Sequence, residues 1–357
     1  MRECTPGNMQ SLEGKKIALI GGAGFIGHHL ALELVRRGAS VHVIDGLQVN
    51  NLLSLMTDGA EYRDLYMRMV NERLDLMRAA GVEFHPQDAR DYHALSRVLA
   101  HSIKPNVIVQ LAAVAHAGRS NKDPFSTFDH SLRTLENALD VARNCDLDRF
   151  VFLSSSMVYG NFMTESVDEE HPLNPIGIYG ALKLSGEKIV IAYNQVFGLP
   201  YTIIRPSALY GPRCVSRRVG QVYIETALQG GSLRVDGDGA ERIDFTYIDD
   251  LVDGMCLAIG SPAAKNEVFN LTHGGARSIK ELVAVIREHF PAVKVEHVQR
   301  DQLMPFRGTL TVDKARRVFG YAPANPIELG FPKYIEWYRQ FTNARERGDG
   351  AAGGKRR

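Results

Sequence analysis

Short apolar runs alternate with amphipathic helical patterns along the first part of the chain. Strand-like runs lie at residues 17–20, 41–44, 107–111, 150–154 and 201–205, and helical patterns lie at residues 27–37 and 132–143. This alternation is typical of a parallel sheet covered by helices. The pattern therefore predicts an α/β fold with a doubly wound parallel sheet.

Residues 46–81 interrupt this alternation, because the segment is much longer than a usual connection between two strands. Apolar side chains recur in it at helical spacing: Tyr62, Leu65, Tyr66, Met69 and Val70. We predict an inserted amphipathic helix whose apolar side is a packing face. A lid over a binding site is the alternative.

The pattern changes after Arg205, where glycine pairs separate short strands and helical patterns follow at residues 248–259 and 279–290. This texture predicts a smaller C-terminal α/β domain that binds the substrate. We place the first domain at 14–205, the second mainly at 206–340 and partly interleaved with the first, and flexible tails at 1–13 and 344–357.

Composition and charge exclude several classes of protein. Apolar residues make up 45% and charged residues 23%, which are proportions of a folded protein and not of a disordered one. The formal net charge of +1 provides no basic surface for nucleic acid, and no apolar run reaches the roughly 18 residues of a membrane span. The cysteines lie far apart, which favours reduced thiols in a cytoplasmic protein. We expect no nucleic-acid partner, no membrane association and no metal site.

Three glycines follow the first predicted strand directly and lead into a helical pattern. Gly21 suits a tight turn, Gly24 permits close approach of a diphosphate to the backbone, and Gly27 permits close packing of helix on strand. The N–H groups at the start of the helix would face the anion. Asp45 ends the second predicted strand, where a carboxylate accepts hydrogen bonds from ribose hydroxyls and favours NAD over NADP.

A phenol and an ammonium are four residues apart in Tyr179 and Lys183, hence on one side of a helix. A phenol with a pKa near 10 is a poor base at neutral pH, but a neighbouring ammonium favours the phenolate. Upstream, an apolar strand ends in Ser154, Ser155 and Ser156, where a hydroxyl can hold the reacting oxygen of a substrate. Together these residues indicate proton transfer at a cofactor-binding sheet.

The motifs above resemble the extended short-chain dehydrogenase/reductase family, in its NAD-dependent nucleotide-sugar epimerase/dehydratase branch. The resemblance covers roughly residues 15–340 and includes Val158-Tyr159-Gly160, Arg205, Tyr210-Gly211-Pro212-Arg213 and the segment from Asp244 to Asp250. It implies a Rossmann domain with tightly held NAD, a C-terminal domain that grips a nucleotide diphosphate sugar, and a homodimer built from two helices of the Rossmann half, one of them carrying Tyr179.

The resemblance also implies roles for individual residues. Tyr179 would be the base, Lys183 would bind the nicotinamide ribose and lower the Tyr179 pKa, and Ser155 would hydrogen-bond the reacting oxygen. Residues implied to contact the cofactor are Gly21, Gly24, Phe25, Ile26, Gly27, Asp45, Asp88 (beside adenine), Ala89, Leu111, Ala112, Ala113, Tyr179, Lys183 and Pro206.

The two residues after the serine distinguish between reactions in the family. Dehydratases carry an Asp-Glu pair there, whereas this chain has Ser156 and Met157, which we also expect to contact substrate. A thioether cannot take a proton, so we predict inversion at C4 through a transient 4-keto sugar. The alternatives are a dehydratase using other acids, a reductase, an epimerase acting at C2 or at C3 and C5, and a regulatory protein that binds NAD without turnover.

Substrate-side positions depart partly from the family. Ala208 stands where the family usually has an Asn that touches the diphosphate. Arg242 and Arg307 resemble the arginines of that site, and guanidinium groups suit phosphate. We therefore predict Arg242 and Arg307 as substrate-binding residues.

A loop after this region carries further positive charge. We predict that Arg213, Arg217 and Arg218 are solvated, with binding of the same anion or of an acidic sugar as the alternative. His116 follows the strand at 107–111, where it either contacts the sugar or is a loop histidine without a catalytic role.

Overall fold

The computed structural model describes residues 11–57, 62–114, 117–301 and 303–352. Its strands are, in chain order, β1 (Lys16–Ile20), β2 (Ser40–Ile44), β3 (Glu83–His85), β4 (Val107–Gln110), β5 (Arg149–Leu153), β6 (Ser166–Val167), β7 (Tyr201–Arg205), β8 (Leu209–Tyr210), β9 (Ser232–Asp236), β10 (Arg242–Ile243), β11 (Thr246–Tyr247), β12 (Glu267–Asn270), β13 (Arg277–Ser278), β14 (Lys294–Val298) and β15 (Thr309–Leu310).

Its helices are α1 (Phe25–Arg36), α2 (Leu52–Thr57), α3 (Arg63–Ala79), α4 (Tyr92–Ser96), α5 (Ala117–Lys122), α6 (Pro124–Phe128), α7 (Thr134–Ala142), α8 (Gly177–Phe197), α9 (Val219–Leu228), α10 (Ile248–Gly260), α11 (Ile279–His289), α12 (Asp313–Phe319) and α13 (Ile327–Ala352). Shorter helical turns lie at Arg97–Ile103, Asp129–Arg133, Ser156–Val158 and Pro262–Ala264.

One large sheet organises the fold. Its strands follow the order β12-β7-β5-β4-β1-β2-β3, and every neighbouring pair is parallel. The order runs outward in both directions from β1 and β4, which is the doubly wound arrangement. The predicted α/β fold is confirmed.

Both sides of this sheet are buried, which explains why its strands are continuous apolar runs. Successive side chains point to opposite sides. In β1, Leu19 packs in one core with Leu30 of α1 and Met255 of α10, whereas Ile20 packs in another core with Leu139 of α7. The predicted strands therefore lie at the centre of two hydrophobic layers.

The segment predicted as an insertion contains the short helix α2 and the amphipathic helix α3. Tyr66, Met69 and Val70 of α3 are buried. They belong to a third hydrophobic core, together with side chains of α9, α11 and α13. The apolar side of the insertion is thus the predicted packing face, and it packs against the C-terminal part of the chain.

The chain after Arg205 forms small two-stranded sheets and then returns to the large one. β8 pairs with β11, β9 with β14, and β10 with β13, while β6 pairs with β15. Helix α10 packs against α1, and β12 becomes the edge strand beside β7. The two halves of the chain are therefore interleaved.

Three of the cysteines, Cys145, Cys214 and Cys256, are free thiols. Cys4, residues 1–10 and residues 353–357 lie outside the described part of the chain. Among the described residues, no helix combines the length and the apolar character needed to cross a membrane.

Candidate functional site

Two connected cavities lie where the strands of the large sheet end. The residues that follow β1, β2, β4, β5 and β7 all line one of them: Gly21, Asp45, Leu111, Ser154 and Pro206. Carboxyl ends of parallel strands form the ligand-binding edge of such sheets. We name the first cavity the dinucleotide cleft, lined by Gly21, Gly24, Asp45, Asp88 and Ala112, and the second the inner cavity, lined by Ser155, Met157, Tyr179, Lys183 and Arg307.

The dinucleotide cleft brings together most of the predicted cofactor residues. Those that line it are Gly21, Gly24, Phe25, Ile26, Gly27, Asp45, Asp88, Ala89, Leu111, Ala112 and Ala113. The remaining ones, Tyr179, Lys183 and Pro206, line the inner cavity. The two cavities share Ile26, Leu111, Ala113 and Arg218 in their walls, so one extended ligand can occupy both.

The glycine positions fit a cofactor diphosphate. Gly21 has a φ of +78°, and a Cβ there would lie 2.6 Å from the backbone nitrogen of Ala112. A side chain at Gly27 would collide with the backbone of Gly22, so that glycine lets α1 pack closely. Helix α1 begins after Gly24, and no side chain of the described residues caps it. Its first N–H groups are therefore available to an anion in the cleft.

Asp45 is anchored at the end of β2. Its carboxylate accepts hydrogen bonds from the backbone nitrogens of Ala23 at 3.0 Å and Leu47 at 2.7 Å. Burial raises the pKa of Asp45, and these hydrogen bonds and the charge of Arg73 oppose that effect. The side chain thus organises the glycine turn at the wall of the cleft.

Asp88 is fixed as an ionised carboxylate. Burial by itself would raise its pKa, but hydrogen bonds from Arg90 and Gln48 outweigh burial and lower the pKa to about 2. The ion pair with Arg90 measures 2.7 Å and the hydrogen bond from Gln48 2.9 Å. This negative group lies in the wall of the cleft at neutral pH.

Arg73 of α3 also lines the cleft, and the sequence interpretation missed it. Its guanidinium is fully buried and donates to the backbone oxygens of Ala23 and Arg213. Burial lowers the Arg73 pKa to about 10, so the group stays charged at neutral pH. The helical spacing of Arg73 could have identified it as a buried residue, because Arg73 lies on the same side of the helix as Tyr66, Val70 and Met77.

The inner cavity encloses about 340 Å³ and brings the predicted catalytic residues together. Tyr179 and Lys183 lie one turn apart on α8, and Ser155 follows β5 and caps a short helical turn by accepting a hydrogen bond from the Met157 backbone nitrogen at 3.2 Å. Burial raises the pKa of Tyr179, while the charge of Arg218 and a hydrogen bond with the Ser155 hydroxyl lower it. The phenol therefore keeps its proton at neutral pH.

Lys183 is buried, and its ammonium is bound at the end of β5. Its Nζ donates to the backbone oxygen of Leu153 at 2.7 Å. Burial lowers the Lys183 pKa to about 8, and the negative charge of Glu187 partly opposes this. Glu187 is in turn paired with Arg205 at 2.7 Å. Arg218 and Ser155 thus act on the Tyr179 phenol, whereas the Lys183 ammonium is bound to the Leu153 oxygen.

Ser156 and Met157 occupy the wall beside these groups, and both are nearly fully buried. The backbone nitrogen of Ser156 donates to the Pro206 oxygen at 2.9 Å, which fixes the turn to the end of β7. The wall next to Tyr179 therefore presents a hydroxyl and a thioether.

Among the described residues, four arginines line the inner cavity, and we name them its arginine wall: Arg217, Arg218, Arg234 and Arg307. The Arg307 side chain is 10% exposed, and Arg307 and Arg300 flank Glu241 at 3.8 and 3.7 Å. Burial lowers the pKa of Arg307. The negative charge of Glu241 opposes this shift, and the positive charge of Arg218 reinforces it. Both separations exceed hydrogen-bond distance, and Nε of Arg300 and of Arg307 has no hydrogen-bond partner among the described residues.

The prediction of a solvated arginine loop is wrong for Arg213 and Arg218, which are partly buried, whereas Arg217 is exposed. Arg217 and Arg218 line the inner cavity, and the Arg217 guanidinium lies 4.7 Å from the ring centre of Tyr62. Arg213 packs inward and donates from Nε to His28 Nε2 at 3.0 Å. Packing against the inserted helix and α1 draws the loop onto the protein.

Arg242 is not brought to either cavity, contrary to the prediction. It is exposed, and its Nη2 donates to the Ala276 backbone oxygen at 2.6 Å. Its neighbours Glu241 and Ile243 line the inner cavity. Because side chains alternate along an extended strand, the cavity-facing positions are those two and Arg242 points away.

Ala208 lines the inner cavity in a strained backbone conformation, with a φ of +37°. Asparagine tolerates the left-handed region better than alanine does. Compared with the asparagine that is usual at this position, Ala208 has no side-chain amide and tolerates the left-handed backbone region less well.

Two further expectations concern His116 and the absence of a metal site. His116 lies outside the described residues. On the outer strands β2 and β3, possible metal-ligand atoms of His42, Glu83 and His85 lie within 4.8 Å of one another, with none of the three in the walls of the two cavities. The absence of a metal site stays a prediction.

Comparisons with known proteins agree with this geometry. The model of the NAD dependent epimerase/dehydratase family matches residues 17–272. A relative, UDP-glucuronate 4-epimerase 2 of Arabidopsis thaliana, is 26% identical over 352 residues, which cover 92% of this chain and 77% of the relative.

Solved structures include enzymes of both reaction types. UDP-glucuronic acid 4-epimerase from Bacillus cereus, in complex with UDP-glucuronic acid and NAD, superimposes with a TM-score of 0.79 at 26% identity, covering 91% of this chain and 99% of that one. A double mutant of dTDP-glucose 4,6-dehydratase from Streptomyces venezuelae, with NAD bound, gives a TM-score of 0.80 at 25% identity, covering 91% and 97%.

Proposed function

The chain belongs to the NAD-dependent epimerase/dehydratase family, and from that premise we propose that it inverts C4 of a nucleoside diphosphate sugar through a transient 4-keto sugar. The resemblance drawn from the motifs is thereby confirmed, and NAD is the cofactor. When bound, NAD supplies the hydride acceptor and donor that inversion at a carbon bearing a hydroxyl needs. Relatives of both reaction types match this chain, so the choice of reaction depends on the site.

The Ser156-Met157 pair is the observation that carries the choice of epimerisation over dehydration. Eliminating water across C5 and C6 needs an acid and a base near the sugar, and neither a hydroxyl with its usual pKa nor a thioether serves. Two carboxylates, Asp236 and Glu241, do line the inner cavity, but Glu241 lies between Arg300 and Arg307. The wall beside Tyr179 thus supports proton transfer at a single oxygen.

Tyr179 and Ser155 account for that proton transfer. Tyr179 Oη takes the proton of the C4 hydroxyl, and Ser155 Oγ hydrogen-bonds the same oxygen and holds it in place. Because burial raises the Tyr179 pKa, positive charge must gather nearby before the phenol acts as a base, and Arg218 already contributes to this. After the ring turns over, Tyr179 Oη returns the proton to the oxygen on C4.

A sugar with an acidic group is the favoured substrate class within this proposal. Arg218 lines the inner cavity together with Tyr179 and Arg307, and its charge lowers the pKa of both side chains. With Arg307 proposed to bind the diphosphate, a carboxylate at C6 of a uronic acid would meet the positive charge of Arg218 in the cavity wall. A neutral hexose is the competing class, and substrate comparison separates the two.

Proton NMR in D₂O tests the reaction. The purified protein is mixed with UDP-glucose, UDP-glucuronate and TDP-, GDP- and CDP-sugars, without added NAD. A new C4 epimer without deuterium on the ring supports the proposal, because hydride returns from bound cofactor. A keto product with deuterium at C5 or C6 would mean elimination and would overturn it.

Paired variants of α8 test the base. Tyr179→Phe removes the proton acceptor, and we expect turnover to fall by about 10²-fold to 10⁴-fold with NAD content unchanged. Tyr193→Phe, on the same helix and outside the cavity, is the control and should keep its activity. Unchanged turnover in Tyr179→Phe would refute the assignment, and absence of turnover with any sugar would favour an NAD-binding regulatory protein.

The proposed assembly is a homodimer through two helices of the Rossmann half, one of them α8. The C-terminal end of α8 leaves Val196 and Phe197 exposed at 71% and 49%, which supports burial against a second copy. Light scattering that detects only monomers across micromolar concentrations would refute the dimer.

A further inference from the structure

We propose that Arg73, on the inserted helix α3, binds the cofactor's diphosphate and thereby couples cofactor binding to the docking of the insertion. The inference rests on NAD as the family's cofactor and not on which sugar reaction follows. It gives the insertion a role that its apolar stripe alone does not explain.

The hydrogen bonds of Arg73 leave part of its guanidinium available. Within the described residues, Nε and Nη2 donate to the Arg213 oxygen and Nη1 donates to the Ala23 oxygen at 3.5 Å. A guanidinium has five N–H groups, so two remain for a ligand. Both protein partners are neutral carbonyls, and the side chain is in the wall of the dinucleotide cleft.

The charges around Arg73 make an anion the fitting ligand. Asp45 attracts the Arg73 guanidinium, but the Asp45 carboxylate already accepts hydrogen bonds from the N–H groups of Ala23 and Leu47. Arg213 repels the Arg73 guanidinium. A fully buried cation without a close carboxylate is unfavourable unless a ligand supplies the opposite charge. The contact with Ala23 places the guanidinium at the glycine turn, where the start of α1 already favours a diphosphate.

The same helix is attached to the C-terminal part of the chain. Tyr66 donates to Glu225 at 2.8 Å and Tyr62 donates to Gln229 at 2.8 Å, both on or just after α9. Arg68 Nη2 donates to the backbone oxygen of Phe341 in α13 at 2.7 Å. Because α3 is one rigid element, a cofactor held by Arg73 also steadies the elements beside the arginine wall of the inner cavity.

Nucleotide binding to the nucleotide-free protein tests the contact. Arg73→Met keeps the apolar length and removes the charge, and we expect its Kd for NAD and for ADP to rise by at least about 10-fold. Its Kd for adenosine, which has no diphosphate, should stay unchanged. Arg73→Lys should recover part of the affinity for ADP, because an ammonium is a point charge without the planar fork.

Arg78→Gln is the matched control, since Arg78 lies on the same helix with its side chain 79% exposed. It should bind all three ligands as the unaltered protein does. Equal losses for adenosine and ADP in Arg73→Met would mean a purely structural role and would overturn the proposal, as would an unchanged Kd for ADP.

Hydrogen exchange tests the coupling. Adding NAD should slow exchange in α3 and α9 of the unaltered protein and in Arg78→Gln, but not in Arg73→Met at saturating NAD. If Arg73→Met does not fold, Arg73→Lys carries both measurements. An ADP affinity of Arg73→Lys that equals that of the unaltered protein and is the same at low and high salt would overturn the charge argument. None of these readouts depends on sugar turnover, so a failed epimerase assay leaves them interpretable.

Discussion

Replacing Lys183 by Met should make the protein more stable and inactive at the same time. Lys183 is 6% exposed, and its pKa is about 8 instead of 10.5. At neutral pH this difference corresponds to roughly 3 kcal/mol by which the folded state disfavours the charged ammonium. Removing the hydrogen bond to the Leu153 oxygen loses about 1 kcal/mol. The expected net gain is about 2 kcal/mol, because methionine fills a similar volume.

The dependence on pH identifies the cause of this gain. The folded pKa lies below the unfolded one, so the folded state binds fewer protons, and the destabilisation is complete below pH 8 and is relieved as pH rises toward 10.5. The stability difference between Lys183→Met and the unaltered protein should therefore shrink by roughly 1.4 kcal/mol between pH 7 and pH 9.

Urea unfolding of the nucleotide-free proteins at both pH values measures this, with sugar turnover measured in parallel. Lys188→Met, on the exposed side of the same helix, should change neither stability nor its pH dependence. A Lys183→Met protein that is less stable than the unaltered one, or a stability difference that is equal at pH 7 and pH 9, would refute the reasoning.

Three other perturbations follow from the same contacts. Glu187→Gln leaves Arg205 buried without its carboxylate and should lower the free energy of unfolding by about 3 kcal/mol. Glu33→Gln, in an exposed helical ion pair, should lower it by less than about 1 kcal/mol. Urea unfolding measures both, and equal effects of the two variants would contradict this expectation. Ala208→Gly relieves a left-handed backbone and should raise the free energy of unfolding by about 1 kcal/mol, and a loss of stability would show that the strain argument is wrong. Asp45→Asn removes the charge that repels a 2′-phosphate, so titration should show a smaller preference for NAD over NADP, and an unchanged preference would mean that another group sets it.

Local features of the sequence were sufficient for the fold and for much of the site. A strand buried on both sides must be a continuous apolar run, which is why β1, β2, β4, β5 and β7 were predicted within a residue or two. The polar edge strand β3 carries no such run and was missed. Glycine spacing and the one-turn spacing of Tyr179 and Lys183 are likewise local, because steric and helical geometry act over a few residues.

Only the tertiary structure decided which charged side chains reach the cavities. Arg242 and Glu241 are adjacent in sequence, and the pairing of β10 with β13 determines that Glu241 faces inward. Arg217 contacts Tyr62 and Tyr66 of the insertion, which holds the loop of Arg217 and Arg218 at the inner cavity, and the Lys183 ammonium donates to the Leu153 oxygen. In the sequence, Arg73 is one more polar residue of the inserted helix, and only the packing of that helix shows that it lines the dinucleotide cleft. The sequence determines local conformation, but the surroundings of a charge depend on distant segments and appear only once the chain is folded.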